Sequence, residues 1–421
     1  MRPGYKQTEV GEIPEDWSAE RLGSIVDPEA PIRYGVVQIG KNVDDGVPIV
    51  PIKYMKKIAS SPLHRSSKEI EGQYKGSRVI GGDVLVSVKG TIGRVGVVPQ
   101  DFQGNIAREI ARIRVLPFVD SNYVAFQIAH EQTQQRISQV IVGTTRLEFS
   151  IAAVRDFEIA LPEEQAEQRA IAAVLLNVDE TIIALERLVS KKRDLKQAAM
   201  QQLLTGETRL PGFSGEWRIE KLGDLADRCF SGATPRRNRP EFYKGPVRWI
   251  TSGELNYNVI YETRETVSFD AVKETNLIIV PPGTFLMAVT GLEAEGTRGA
   301  CAIVGAPSTM NQSCMAVFPN EKLITPYLFH YYVFRGNSLA LQYCQGTKQQ
   351  SYTAALVKQL PIKLPETIKE QAAIAAVLSD LDAELSLLES QLGKTQMIKQ
   401  AMMQELLTGR IRLPIKEAVD A

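Results

Sequence analysis

A chain of 421 residues, 44% of them hydrophobic, can bury more than one core, so two or more domains are expected. No apolar run approaches the ~20 residues that cross a bilayer, and the stretch Met1–Lys6 lacks the charged-then-apolar pattern of a secretion signal, so a cytoplasmic protein without membrane contact is expected. The formal charge is zero, from 49 basic and 49 acidic side chains, which taken as an average argues against a nucleic-acid binder.

The average hides segregation. Lys53, Lys56, Lys57, Arg65, Lys68, Lys75, Arg78, Lys89 and Arg94 crowd one stretch, interrupted by Glu69, Glu71 and Asp83. Around them, Gly81–Val88, Val95–Val98 and Ile110–Val115 are short β-branched runs bounded by Gly, Pro and Asp, and are expected to be strands. Pro117 closes the last of these, and Tyr123 to Ser138 then reads as one helix on the sheet.

Next comes a long helix. Ile171, Leu175, Val178, Ile182, Leu185 and Val189 recur at alternating four- and three-residue steps, the seam of a coiled coil. Farther on, Lys192 and Lys196 occupy the projected seam positions while Leu195 carries apolar character, which predicts a stutter. Gly206, after Thr205, suits a left-handed C-terminal cap.

From there the chain reads nearly a second time. The run Leu161-Pro162-Glu163 to Arg209-Leu210-Pro211 aligns without a gap on Leu364-Pro365-Glu366 to Arg412-Leu413-Pro414, with roughly half of the positions identical. Ile374, Leu378, Leu381, Leu385, Leu388 and Leu392 repeat the seam, Ile398 stands where Leu195 does, and Gly409 repeats Gly206. The segments before the two helices match only at landmarks: Trp17, Leu22 and Gly23 with Trp217, Leu222 and Gly223, and Gly143-Thr144 with Gly346-Thr347. Pro319 and the helix expected over Tyr327–Leu341 repeat Pro117 and its helix. The expected organisation is a first variable domain over 1–160, a spacer helix over 161–211, a second variable domain over 212–363, and a second spacer helix with its tail over 364–421. The fold class is mixed α/β (α+β), with two recognition domains, two long antiparallel coiled-coil helices and an internal pseudo-two-fold repeat.

Catalytic signals are absent from the sequence. A P-loop would need Gly five residues before Gly393-Lys394-Thr395, where Leu388 stands. There is no Asn-Pro-Pro-aromatic tetrapeptide and no Glu-x-Lys that could complete a common nuclease site. His64, His130 and His330 are too scattered for a triad or metal cluster, and Cys229, Cys301, Cys314 and Cys344 form no Cys-x-x-Cys pair, so no catalytic residue, metal site or disulfide framework is expected.

Binding signals remain. Lys53, Lys56, Lys57, Arg65, Lys75, Lys89 and Arg94 could neutralise phosphates, with Tyr54 and Tyr74 interleaved. Arg236, Arg237, Arg239 and Lys244, near Arg248, form a second cluster, while compensating acids gather at Glu366, Glu370, Asp380, Asp382, Glu384 and Glu389. The loop pair carrying Arg146 in one half and Lys348, Gln349 and Gln350 in the other supplies side chains suited to base edges, Arg to guanine and Gln to adenine.

Repeated helices alternating with divergent domains, each opening near Trp-x-x-x-x-Leu-Gly and ending in Leu-Pro before an Ala-Ile-Ala-Ala-Val-Leu helix, resemble the specificity subunits of type I restriction-modification systems over essentially the whole chain. The resemblance implies a non-catalytic subunit that binds double-stranded DNA at a bipartite, asymmetric site and docks methyltransferase and restriction/translocase subunits. S-adenosylmethionine and ATP would then be held by those partners and not by this chain. The alternatives are a modification-only complex, a coiled-coil protein-interaction scaffold and an unrecognised enzyme.

Overall fold

The computed structural model describes residues 2–141, 147–294, 296–346 and 350–414. The chain forms two compact units. The first joins residues 1–186 to 391–421, and the second spans 187–390. Both boundaries cross the long helices, so each unit owns one variable domain and a segment of each helix.

In the first unit, β-branched runs make a four-stranded antiparallel sheet in the order Arg33–Tyr34, Ile110–Ile113, Val84–Ser87, Val95–Val97. Val84 to Ser87 are buried throughout, as a strand covered on both faces requires. A second sheet sets Val47–Val50 between His64–Ser66 and Asn105–Ile106, the latter pairing parallel. The second unit repeats this plan. Its main sheet runs Ala226–Ser231, Cys314–Pro319, Phe285–Ala288, Cys301–Val304, Asn258–Ile260, and its smaller sheet sets Val247–Ile250 between Glu265–Val267 and a parallel Ser308–Met310.

The sequence landmarks turn out to be strand partners. Trp17–Arg21 pairs antiparallel with Glu158–Pro162 in the register Trp17 to Pro162, and Trp217–Lys221 pairs with Pro361–Pro365 in the register Trp217 to Pro365. Each domain is therefore closed by a two-stranded ribbon that leads directly into its helix.

The helices Gln165–Thr205 and Ile368–Leu406 have 41 and 39 residues, about 60 Å each at 1.5 Å per residue. Gly206 and Gly409 end them at φ +72° and +68°. In the first unit, Asp179 pairs with Lys399 at 2.5 Å and Glu167 with Arg412, so the helix segments run antiparallel. In the second, Lys196 pairs with Asp382 and Arg209 with Glu370, giving the same sense. Ile171, Leu175 and Leu185 are buried on the seam, and Val178 and Ile182 half-buried. Ile374 and Leu378 are buried, and Leu381, Leu385 and Leu388 half-buried.

Two expectations need correction. The seam does not stutter: Leu195 and Ile398 are exposed, at 47% and 55%, while Lys192 and Lys196 stay on the seam, paired with Glu384 and Asp382. The four-three spacing continues, with ion pairs replacing apolar contact. The helix expected over Tyr123–Ser138 is two helices, Ser121–Ala129 and Glu131–Val140, broken at an extended His130. That imidazole is buried and hydrogen-bonded through Nε2 to Gln404 at 3.1 Å, a long-range anchor that local helical pattern does not register. The second unit keeps one unbroken helix there, Thr325–Tyr343.

Each unit has a core that includes its helix segments. Trp17, Tyr123, Phe149 and Phe157 pack with Ile171, Leu175, Leu406 and Leu407; Phe285, Tyr327 and Tyr332 pack with Leu203, Leu204, Ile374 and Leu378. The domain and its helix segments thus share one apolar core, a basis for rigid presentation of whatever the loops carry.

Candidate nucleic-acid interface

The basic stretch of the first domain folds into a surface rather than a loop. Lys53, Lys56, Lys57 and Arg94 line one open groove of about 600 Å³, with Ile52, Met55, Gly93 and Gln134. Short 3₁₀ turns at Ile52–Tyr54 and Ile58–Ser60 hold the lysines outward while Met55 and Ile58 anchor beneath. Lys53 Nζ lies 4.5 Å from the Tyr54 ring centre. Arg65 and Lys75 are exposed on the strand His64–Ser66 and the turn Gly72–Ser77. Among the described residues, no carboxylate lies within ion-pair distance of Lys53, Lys56, Lys57, Arg65, Lys75 or Arg94. Six uncompensated cations on one domain suit a polyanion.

Other bases of this stretch are used by the fold. Arg78 forks onto Glu71 at 2.7 and 2.6 Å, and Lys68 reaches Asp45 at 3.4 Å. Lys89 pairs with Glu148 at 3.4 Å and sits 4.5 Å over the Tyr34 ring. Burial first, and the hydrogen bond to Glu148 second, push the Tyr34 phenol up to about 12, so it acts there as a neutral donor.

The second cluster is built differently. Arg236 and Lys244 are exposed, but Arg237 pairs with Glu265 at 2.9 Å and stacks 4.4 Å over Tyr243, and Arg239 bridges Glu241 and Glu274 at 2.7 and 2.6 Å. Arg146, Lys348 and Gln349 lie outside the described residues. Gln350 is half-buried, and its backbone N–H donates to Glu293 Oε2 at 2.9 Å. The acids of the C-terminal half are taken up by the scaffold: Glu366, Glu370, Asp382, Glu384 and Glu389 pair with Arg218, Arg209, Lys196, Lys192 and Arg193.

Sequence reading missed two buried carboxylates that brace these loops. Glu71, fully buried, accepts from Arg78 and from Asn105 Nδ2 at 2.9 Å; the Arg78 guanidinium, more than any other neighbour, holds its carboxyl below the usual range. Glu254 accepts from Thr251 N, Thr251 Oγ1 and Arg264 N, each at 2.8 Å. The Thr-x-x-Glu spacing of Thr251 and Glu254 is a capping-box signal readable in the sequence, whereas Glu71 looked only like an interruption in a basic run.

Among the described residues, no group of three or more His, Cys, Asp or Glu is placed to hold a metal ion, and no helix is long and apolar enough to cross a membrane. Burial raises the thiols of Cys301 and Cys314 above their ordinary range.

This architecture, one α/β domain built twice and each copy fused to segments of two antiparallel helices, defines a class of paired-domain scaffolds. A family described as the type I restriction modification DNA specificity domain matches twice, over residues 14–195 and 214–399. The chain belongs to that family. It is 29% identical over 214 residues to the EcoBI type I restriction enzyme specificity subunit of Escherichia coli, covering 49% of this chain and 44% of that one. The MjaIX specificity subunit of Methanocaldococcus jannaschii is 31% identical over 183 residues, 42% of this chain and 40% of the relative. The matches thus span less than half the length of these two relatives. The MjaVIII specificity subunit of the same organism matches at 21% over 97% of this chain and 96% of its own length. Among solved structures, the S subunit of a type I restriction-modification system from M. genitalium superposes with a TM-score of 0.63 at 15% identity, covering 96% of this chain and 99% of that one. A chain from a study of complex assembly and conformational transition of the type I system gives 0.54 at 19% identity over 95% and 99%. These superpositions establish the shared fold.

Proposed function

We propose that this chain is the sequence-reading subunit of a type I restriction-modification enzyme: it binds double-stranded DNA at a bipartite, asymmetric site and docks methyltransferase and restriction/translocase subunits. The observation that carries the reading is one rigid frame built twice with different polar surfaces. The closing ribbons, helices and caps repeat, while the groove of Lys53, Lys56, Lys57 and Arg94 has no counterpart of the same composition in the ion-paired Arg237 and Arg239 cluster. Phosphate contacts position a protein and base contacts specify the sequence, so divergent surfaces on matching frames suit two different half-sites. Chemistry is assigned to the partners, with S-adenosylmethionine on the methyltransferase and ATP on the translocase; the family membership and the lack of a P-loop or amino-methyltransferase tetrapeptide support a non-catalytic chain. A cytoplasmic location follows from that role.

The test is to assemble the full chain with its methyltransferase partner and map methylated positions on genomic DNA. A recurring pair of half-sites separated by a fixed number of unspecified bases is expected. Replacing residues 1–160 with the first domain of another family member should change one half only. A scaffold without DNA specificity would give no footprint at any salt concentration.

A further inference from the structure

The frame presents one side chain at the same place in both domains. In the first, the strand Asn105–Ile106 turns through Ala107, Arg108 and Glu109 into Ile110–Ile113, closed by Ile110 N–H donating to Ala107 O at 3.0 Å. In the second, Ser308–Met310 turns through Asn311, Gln312 and Ser313 into Cys314–Pro319, closed by Cys314 N–H donating to Asn311 O at 3.2 Å. Both turns are pinned on three sides. Ala107 and Asn311 donate to Val50 O and Ile250 O at 3.0 and 2.8 Å; Val88 and Val289 donate to Glu109 O and Ser313 O at 2.7 and 2.9 Å. On the third side Val36 and Ala233 donate to Ile106 O and Met310 O at 2.7 and 3.1 Å. The residues just before these donors are Gly35 and Gly232, where a Cβ would stand 1.9 Å from those same carbonyl oxygens, so only glycine permits the approach.

The backbone is thus immobilised, yet the residue at each tip is exposed, and the two tips differ: Arg108 and Gln312. Arg108 Nε donates to the neighbouring Glu109 at 3.0 Å, an exposed pair that orients the guanidinium at little energetic cost to exchange. Gln312 accepts from the Thr234 hydroxyl through Oε1, which fixes the amide plane and leaves that oxygen a second lone pair beside the donating NH₂. Planar side chains carried on a turn whose backbone is fixed on three sides are placed for bidentate readout. The first turn also adjoins the basic groove, since Lys89 donates to Glu109 O and a Cβ at the next residue, Gly90, would lie 4.0 Å from Ile52.

Resting on the DNA-reading function above, we infer that Arg108 and Gln312 are specificity-determining residues, each reading one base pair of its own half-site, Arg108 a guanine and Gln312 an adenine. Phosphate binding belongs to the lysine groove, and the Gly-pinned turns carry sequence.

The experiment uses the full chain assembled with its methyltransferase partner and a library of duplexes randomised in sequence, selected for binding and then for methylation. Arg108→Ala should lower discrimination at one guanine of the first half-site about ten-fold or more, leaving the second half-site unchanged; Gln312→Ala should do the same at one adenine of the second. Arg108→Lys keeps the charge and loses the bidentate fork, so it should also lose discrimination, whereas a phosphate contact would survive that change. Thermal midpoints within a few degrees of the parent exclude a folding defect. A parent that selects a bipartite site while both alanine variants keep every base ratio overturns this assignment and leaves the DNA-reading function standing. A parent that selects no sequence at all overturns that function, and this inference with it.

Discussion

The two units hold their domains with the same clasp under different constraints. In the second, Arg209 forks onto the buried Glu370 at 2.5 and 2.7 Å and reaches Gly215 O at 2.8 Å, with Trp217 a few residues further along the same chain. In the first, Arg412 forks onto the equally buried Glu167 and also onto Asp16, at 2.9 and 2.7 Å, beneath a Trp17 that is fully buried and donates to Glu167 at 3.2 Å. Asp16 and Arg412 are 396 positions apart. Closing a longer loop costs more entropy, about 0.6 kcal/mol for each doubling, so the first unit's clasp, longer in range than the 161 positions between Arg209 and Glu370, has somewhat more to offset. It does so with a second carboxylate and a buried indole hydrogen bond, where Trp217 is only half-buried. Chain continuity supplies in one unit what extra polar contacts supply in the other.

The largest expected effect tests this directly. Arg412→Ala leaves Glu167 buried without its cation and should cost about 3–5 kcal/mol of stability. Arg209→Ala should cost less, because the backbone still leads directly to Trp217. Chemical denaturation of the two variants compares them, and equal losses would show that continuity contributes nothing. On the apolar side, Leu175→Ala and Leu378→Ala, both fully buried, should each cost about 2–5 kcal/mol, while Leu388→Ala at a half-buried seam position should cost less, read as thermal midpoints.

A pH titration probes a buried histidine in each unit. Burial above all pushes His330 down to about 4; Lys196 adds to this and Asp382 opposes it, with Ser379 hydrogen-bonded to Nε2 at 2.9 Å. The folded imidazole resists protonation that the unfolded one accepts near its ordinary 6.5. Stability from this group is therefore complete above 6.5 and is lost as pH falls toward 4, by about 3 kcal/mol in all. His330→Gln should flatten the stability profile of the second unit over that window, and an unchanged slope would sink the assignment. His130 in the first unit is lowered in the same direction by burial, opposed by its bond to Gln404.

The smallest effects concern the two basic clusters. Lys56→Ala should weaken binding to all DNA sequences alike and lower the salt slope by about one. Arg239→Ala should change the slope less, since Glu241 and Glu274 already neutralise it.

Much of the scaffold was legible because it is local or repeated. The Trp and Leu-Pro landmarks marked the closing ribbons, the four-three spacing marked the seam, and Gly206 and Gly409 marked the caps. Lysines on the seam misled, because a charge breaks a hydrophobic pattern even where an aspartate on the other helix completes it. The break at His130 escaped for a related reason, as its cause is Gln404, far along the chain. At the candidate interface the sequence located the cations but not their partners: Lys56 and Arg239 look alike until the fold brings Glu241 and Glu274 to only one of them. The close approach at Gly35 and Gly232 left no motif at all.

The ion pairs on the helices carry one more consequence. Lys196 and Lys399 are equivalent in the internal repeat, and so are Asp179 and Asp382; they pair as Lys196 with Asp382 and Lys399 with Asp179. Sliding the helices side by side in the same direction would set lysine against lysine and aspartate against aspartate. A nearly duplicated sequence is at risk of that head-to-head mistake, since matching apolar seams fit in either sense. Four charges placed toward opposite ends of each repeat make the wrong orientation repulsive and the right one attractive, so the polarity of the bundle is written in charge while its adhesion is written in leucine.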